Sequence, residues 1–312
     1  MDCSAFFLSG ARLQLASLAN PSWLTGSTLL LNLWAIALLI FGLFMTMRKR
    51  QPQGDLTDRI IRFGPMFYSI PLAFFGMQHF ALFDQVEPAV PSYMPWPAFW
   101  TYLVGAALIA ACLSILTEIK ADLAALSLAV MFILFQVMIY APIFIQNPHD
   151  RFSISDPLRD LSLCAGAMCL AWTASPSSRK PRLRWLAIAG RWIFTAAILY
   201  FGVEQFLHPE FAPGVPLEMR MPAWFPAHVA IAWFAGTVLI VGGLCMAVNK
   251  AARWAAAAVG LAYVLLVLFV YIPMELAHPS VDVSGELDFV ANTLAVGGAA
   301  LLVAGTIAKR LD

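Results

Sequence analysis

Charged residues are scarce in this sequence of 312 residues. Asp, Glu, Lys and Arg make up 12% of the chain, whereas 61% of it is hydrophobic, and the mean hydropathy is +0.78. An average soluble domain carries about 25% charged residues. The composition therefore excludes an ordinary soluble domain and predicts an integral membrane protein.

Several motifs of soluble enzymes are also lacking, among them phosphate-binding glycine loops, dinucleotide-binding fingerprints and the GxSxG turn. No two cysteines form a CxxC pair, and Cys112, Cys164, Cys169 and Cys245 fall in apolar stretches. We interpret these four as buried apolar residues and not as redox or metal-binding thiols. The basic clusters are explained by membrane topology, so nucleic-acid binding is not indicated.

The apolar residues are gathered into stretches of about 18 to 25 residues, the length that a helix needs to cross a bilayer. They lack the alternation of barrel strands, so helices must satisfy their backbone hydrogen bonds. The sequence predicts an all-α membrane protein with about nine transmembrane helices. The predicted spans are 24–47, 62–83, 97–117, 122–145, 157–174, 186–207, 226–248, 253–275 and 288–307.

The distribution of Lys and Arg predicts the topology, because these residues accumulate in cytoplasmic loops. With the N-terminus outside, only Arg12, Arg151, Arg159 and Arg220 of the 19 basic residues lie outside. The first 20 residues lack the features of a cleavable signal peptide, so the first span is expected to act as an anchor. We expect a multi-pass protein of a bacterial-type inner membrane, with a cytoplasmic C-terminus and with membrane lipids as partners.

The chain contains a repeat. FGMQHF begins at Phe75 and FGVEQF at Phe201, an offset of 126, and further along the chain the offset becomes 131. Matches at the second offset, several of them Pro or Gly, indicate a duplication. They are Pro91 with Pro222, Pro95 with Pro226, Gly105 with Gly236, Tyr140 with Tyr271, Pro142 with Pro273, Pro148 with Pro279 and Gly166 with Gly297.

The predicted organisation is an N-terminal segment, 1–58, with one span, followed by four-helix units at 60–175 and 186–310. The Pro-, Ser- and Arg-rich stretch 175–184 is expected to be a cytoplasmic loop between them. An even number of spans gives both copies the same orientation, so the axis that relates them should lie along the membrane normal. The longer external loop of the second copy is expected to be an ordered segment at the membrane interface, with Trp224 near headgroup depth.

Each unit has a glycine near the outer end of helix one, a proline-bearing external loop, a glycine in helix two, a basic inner turn and a glycine-rich fourth helix. This pattern resembles the DoxX-like family of small membrane proteins, in two tandem copies that cover nearly the whole chain. The resemblance implies a four-helix fold for each unit. It also implies a role as an accessory or subunit in quinone-linked membrane redox chemistry, with quinone as the cofactor and a redox partner protein.

The candidate catalytic residues lie at outer helix ends of the second unit. Glu204 and His208 are spaced i,i+4, and Glu275 and His278 are spaced i,i+3, so each pair shares a helical face. Three interpretations stay open: polar groups that cap helices, a site that handles protons or binds a polar ligand, and a carboxylate metal site. Because only one ExxH motif is present, no metal ligand is predicted. In the quinone interpretation, Glu204, Glu275 and His278 are catalytic, since they exchange protons or bind the headgroup.

Further polar residues at the same helix ends are candidates for binding the cofactor. Gln78 aligns with Glu204, so the polar pockets of the two copies are expected to differ. The full set of predicted cofactor-binding residues is Tyr271, His208, Tyr140, Gln78, His79 and Asn292. The alternative functions are a small-molecule or lipid transporter that uses the cleft between the repeats, and a non-catalytic assembly factor.

Overall fold

The computed structural model describes residues 26–49, 54–215, 219–277 and 285–308. In this part of the chain the protein is helical, apart from a single antiparallel bridge between Phe211 and Arg220. The helices are α1 (Gly26–Arg48), α2 (Leu56–Ile61), α3 (Gly64–Ala81), α4 (Phe83–Val86), α5 (Pro97–Thr117), α6 (Ala121–Phe135), α7 (Ala141–Gln146), α8 (Phe152–Ala174), α9 (Lys180–Leu207), α10 (His228–Ala247), α11 (Ala252–Leu266), α12 (Ile272–Ala277) and α13 (Glu286–Thr306).

Eight helical segments of the described chain are long and apolar enough to cross a membrane. They correspond to eight of the nine predicted spans, so the prediction of an all-α, multi-pass membrane protein is confirmed. The ninth span is α8, which begins at Phe152 and not at the predicted position 157. Its outer half carries Asp156, Arg159 and Asp160, which make it more polar than the other helices.

The stretch 175–184 was predicted as a loop, and half of that prediction is wrong. Helix α9 already begins at Lys180, and Pro181 lies in its first turn. Proline is favoured there because the first amides of a helix have no partner within the helix, so the missing N–H costs nothing. The connection between the two repeats is therefore only a few residues long.

The two repeats interlock. Within each repeat, helix one packs on helix two and helix three on helix four: α3 on α5 and α6 on α8, then α9 on α10 and α11 on α13. Helix one of each repeat packs about as extensively on helix four of the other repeat, α3 on α13 and α9 on α8, as it does on helix two of its own. The two repeats, which follow one another in sequence, therefore pack directly against each other. Helix four of the first repeat, α8, also packs on helix four of the second, α13.

Matched glycines hold helix one against helix two in both copies. A Cβ on Gly76 would lie 2.7 Å from the carbonyl oxygen of Gly105, and one on Gly202 would lie 3.1 Å from that of Gly236. Phe80 and its counterpart Phe206 cover the second glycine in each crossing. The FG sequence of the repeat therefore has the same packing role twice: it lets two helix backbones approach closely.

Glycines also make the crossings between repeats. A Cβ on Gly190 of α9 would lie 2.8 Å from the carbonyl oxygen of Ala165 in α8, and one on Gly166 would lie 2.7 Å from Cβ of Ala299 in α13. A Cβ on Gly298 would overlap the backbone of Tyr68 in α3. These contacts bring four helices of the two repeats into direct backbone contact.

Helix three of each repeat contains a π-helical segment at the same place. Gln136–Tyr140 follows α6 and Val267–Tyr271 follows α11, and these two segments are related by the offset of 131 found in the sequence. Each segment ends on the matched tyrosine, two residues before the matched proline. Proline cannot donate a backbone hydrogen bond, and π-helical turns re-register a helix and are frequent at functional sites. Both tyrosines are thereby directed towards the helices that follow.

Part of the external loop of the second copy turns into the protein, and the predicted position of this loop at the membrane interface stays a prediction. Ala212 and Val215 are fully buried, and Val215 joins the main apolar core. The chain can turn there because Gly214 adopts a φ of +126°, which is unfavourable for any residue with a side chain. Trp224 does stay 49% exposed.

Ion pairs join distant parts of the chain at the other end of the molecule. Arg179, at the start of α9, pairs with Asp122 of α6 at 2.9 Å. Arg253, at the start of α11, pairs with Asp58 of α2 and donates to the carbonyl oxygen of Ile307 at 2.8 Å. We call this the inner end of the molecule, and the end that holds Tyr140, Glu204 and Asp288 the outer end.

The crossing at Gly298 gives a first prediction. Gly298→Ala should destabilise the protein by about 1–3 kcal/mol, because the added methyl group forces α13 away from the backbone of α3. Thermal unfolding of the purified protein in detergent measures the change. Gly305→Ala is the matched control, since its Cβ would meet its nearest neighbour at an ordinary 3.5 Å. Equal unfolding temperatures for the two variants would contradict this account of the crossing.

Because the repeats interlock, we expect each half of the chain to need the other half in order to fold. When segments 1–175 and 176–312 are expressed together as separate chains, they should assemble, because α3 and α9 each pack extensively on a helix of the other segment. Affinity purification through a tag on one segment, followed by size-exclusion chromatography, tests this. Each segment expressed alone should aggregate. Two segments that purify separately as folded monomers would show that the repeats are independent bundles.

Candidate functional site

Polar side chains meet at the outer end, where helices of the two repeats pack together. Gln78 of α3 donates from Nε2 to Oδ1 of Asp288 in α13 at 3.2 Å. Asn292, one turn further along α13, donates from Nδ2 to Oδ2 of Asp288 at 2.7 Å. Gln78 and Asn292 are both buried, and Asp288 is half-buried. We call these three residues the Asp288 junction.

A second group of polar residues lies beside it on α8 and at the end of the first π-helical segment. Arg159 donates from Nε to Oδ1 of Asp160 at 3.1 Å, and its Nη1 lies 3.6 Å from Oδ1 of Asp156. Tyr140 donates from its hydroxyl to Oδ2 of Asp160 at 2.9 Å and accepts from Nη2 of Arg159 at 3.2 Å. We call these four residues the Arg159 cluster. Arg159 is also close enough to Asp288 to attract its carboxylate.

The third group connects helix one of the second repeat with the start of α8. Oε2 of Glu204 lies 3.4 Å from Nε of Arg151 and 3.9 Å from Nε2 of His208. His208 in turn lies 3.6 Å from Oε1 of Glu210. The guanidinium of Arg151 also stacks on the ring of Phe211, 4.2 Å from its centroid. We call Arg151, Glu204, His208 and Glu210 the Glu204 junction.

The Asp288 and Glu204 junctions are matched positions with different partners. Gln78 and Glu204 both lie in helix one, near its outer end, and both face the start of helix four of the other repeat. The amide of Gln78 meets a carboxylate, whereas the carboxylate of Glu204 meets a guanidinium. The predicted difference between the copies therefore has a physical cause. Gln78 offers a hydrogen-bond donor to the carboxylate of Asp288, and Glu204 offers a negative charge to the guanidinium of Arg151.

The remaining predicted site residues lie apart from these contacts. Tyr271 is fully buried and donates from its hydroxyl to the carbonyl oxygen of Pro213 at 2.7 Å. The Nδ1 atom of His79 lies 2.8 Å from the carbonyl oxygen of Phe75 on its own helix. Glu275 is half-buried in α12. His278 lies outside the described residues.

The structure thus brings Gln78, Tyr140 and Asn292 together with charged residues that the sequence analysis did not select. These are Asp288, Arg159 and Asp160, of which only Arg159 appears in the sequence analysis, as a basic residue on the outer side. The available signal was the position of Arg159 and Asp160 inside the predicted span 157–174. Ionisable residues in a span are costly and usually face the interior of a bundle.

Surface grooves of the described chain lie elsewhere and are apolar. One is lined by residues from Ala227 to Trp233 at the start of α10, and another by Leu29, Trp34 and Met77 between α1 and α3. Neither groove is lined by a residue of the two junctions or of the Arg159 cluster. Within the described residues, no group of three or more His, Cys, Asp or Glu side chains is arranged to hold a metal ion.

The chemistry available at the outer end is hydrogen bonding and proton exchange. The Arg159 cluster offers guanidinium and hydroxyl donors beside carboxylates, and the Asp288 junction offers a carboxylate between amides. These groups could hold the polar headgroup of a lipid-soluble cofactor such as a quinone at the edge of the membrane. A carboxylate beside the headgroup is a proton acceptor or donor.

The pairing of Glu204 with Arg151 gives a third prediction. Either Glu204→Gln or Arg151→Gln should destabilise the protein by about 1–3 kcal/mol, because each change removes one side of an ion pair in which Glu204 is buried and Arg151 half-buried. The double variant should recover part of this loss. A double-mutant cycle of unfolding free energies should therefore give a coupling of about 0.5–3 kcal/mol. A coupling near zero would mean that the two side chains do not stabilise the contact between the repeats.

Comparison with models of known protein families, with curated proteins and with solved structures finds no match to this chain.

Proposed function

We propose that this integral membrane protein is of DoxX-like type and acts as an accessory or subunit in quinone-linked membrane redox chemistry. One observation carries the proposal. The Arg159 cluster and the Asp288 junction place hydrogen-bond donors and carboxylates side by side, near the outer ends of apolar helices. Charged residues at such positions are costly, and membrane proteins retain them mainly where they bind or move something.

In this proposal the residues of the outer end have separate roles. Arg159 and Tyr140 donate hydrogen bonds to the carbonyl oxygens of the quinone headgroup, in competition with Asp160. The neighbouring carboxylates take up or release the protons that accompany reduction or oxidation of the quinone. When bound, the quinone supplies the two-electron chemistry, and the electrons come from a redox partner protein.

The proposal includes an orientation. The outer end faces the periplasm of a bacterial-type cell and the C-terminus lies in the cytoplasm, which follows from the distribution of Lys and Arg. The inner-end pairs of Arg179 with Asp122 and of Arg253 with Asp58 then lie at the cytoplasmic surface. The apolar grooves face lipid.

Transport is the second candidate function, and a specific observation favours it. Ion pairs lie at both ends of the molecule: Glu204 with Arg151 joins the two repeats at the outer end, and Arg253 with Asp58 joins the second repeat to the segment before the first at the inner end. Pairs at both ends are what a transporter built from parallel repeats needs in order to close each side in turn. Such a transporter would have to separate the close crossing of Gly166 and Ala299.

The fourth prediction tests the redox role. Protein purified in nanodiscs of native lipid should retain a quinone, detected by mass spectrometry of the extract. A short-chain quinone should bind the delipidated protein about tenfold more weakly in Tyr140→Phe, because one hydrogen bond of about 1 kcal/mol or slightly more is lost. Tyr93→Phe is the matched control, since that hydroxyl donates to the backbone carbonyl oxygen of Met138 and not to a side chain of the Arg159 cluster.

The outcomes separate the two candidate functions. Lack of any retained quinone, together with equal quinone binding by wild type and Tyr140→Phe, would refute the redox role. Uptake of a solute into proteoliposomes that Arg253→Gln and Glu204→Gln both alter would support transport instead.

A further inference from the structure

The two matched junctions differ in how the negative charge of their acid is compensated. Glu204 has the guanidinium of Arg151 at 3.4 Å. Asp288 is held by the neutral amides of Gln78 and Asn292. Corresponding junctions therefore hold an acid of helix one with a cation beside it in one case, and an acid of helix four with amides beside it in the other.

The nearest cation to Asp288 is already engaged by other acids. Arg159 makes its ion pairs in the described part of the chain with Asp160 and Asp156, and it is only within electrostatic range of Asp288. Three carboxylates thus share one guanidinium next to apolar helices. In a medium of low dielectric constant such an excess of negative charge is unfavourable, and uptake of one proton relieves it.

The side chains that act on the charge of Asp288 are consistent with this shortage of positive charge. They are the amides of Gln78 and Asn292, the guanidinium of Arg159 and the carboxylate of Asp160. Arg159 is the one cation among them.

The amide of Gln78 can serve both protonation states of the acid. Asn292 is fixed, because its Nδ2 donates both to Oδ2 of Asp288 and to the backbone oxygen of that residue at 3.0 Å. Gln78 contacts only Oδ1, and a side-chain amide carries two donors on one side and an acceptor on the other. With Nε2 towards Asp288 it donates to a carboxylate, and after a flip its Oε1 accepts from a carboxylic acid. A glutamate carboxylate, which occupies the matched position in the second repeat, could not donate a hydrogen bond to the carboxylate of Asp288.

We propose that the Asp288 junction is a proton-binding site, in which the carboxyl group of Asp288 holds a proton between the amides of Gln78 and Asn292. Because Asp288 is half-buried at the outer end of α13, water on that side can deliver and remove the proton. In the sequence analysis Glu204 and Glu275 were the acids expected to exchange protons; the geometry points to Asp288 for this role. The proton site extends the proposed redox role. It rests on that role only for what the proton is used for.

The fifth prediction tests the proton itself. Dicyclohexylcarbodiimide adds to protonated carboxyl groups in apolar surroundings, whereas carboxylates paired with cations do not react. The full chain in lipid nanodiscs, treated with this reagent near neutral pH, should acquire one adduct on Asp288, located by peptide mapping with mass spectrometry. The adduct should be lost as the pH of the reaction is raised, and it should be lost in Asp288→Asn.

Two further measurements make the outcome decisive. Asp84→Asn, which changes an exposed acid in α4, should leave the labelling of Asp288 unchanged. The infrared carbonyl band of a protonated carboxylic acid should be present in wild type. Because this measurement needs no variant, it tests the inference even if Asp288→Asn fails to fold. Absence of an adduct on Asp288 and of this band would overturn the inference. Labelling without any retained quinone would keep the proton site and reject the redox role.

Discussion

Close packing of helix backbones at glycine is the constraint on which this fold depends. In lipid, an apolar side chain gains nothing by exchanging contact with lipid tails for contact with another helix. Helices therefore associate where small residues let their backbones approach closely. The glycines of α3 and α9 supply such sites on two faces of the same helix. One face meets helix two of the same repeat, and the other meets helix four of the opposite repeat. The duplication therefore produced one interlocked body of helices.

The position of the polar groups follows from that interlocking. Because helix one of each repeat lies against helix four of the other, the residue near its outer end faces residues from the other copy. Gln78 meets Asp288, and Glu204 meets Arg151. A single-copy ancestor of this fold, paired with itself, would have placed identical residues in both junctions. After duplication the two positions were free to diverge, and each became complementary to its own partner.

The sequence carried much of the fold and part of the site. Span 97–117 coincides with α5, and the other spans agree with helices within a few residues, because about 20 apolar residues in succession have few alternatives to a transmembrane helix. Gln78, Tyr140 and Asn292, predicted to bind a cofactor, do form hydrogen bonds with carboxylates of the outer end, and their cofactor-binding role stays a prediction. Asp288, Arg159 and Asp160 were not selected, because in the sequence a charged residue near the outer end of a predicted span looks the same whether it faces water or a neighbouring helix.

By itself the sequence determined that this is a helical membrane protein built from two copies of one unit. Those properties follow from local quantities, namely the length of apolar stretches and the spacing of Pro and Gly. Only the tertiary structure decided that the copies interlock and that the acid of one junction faces a cation while the acid of the other faces amides. These properties depend on which helices are neighbours in space. Contacts between helices that are far apart in the chain depend on how well whole helix surfaces fit together.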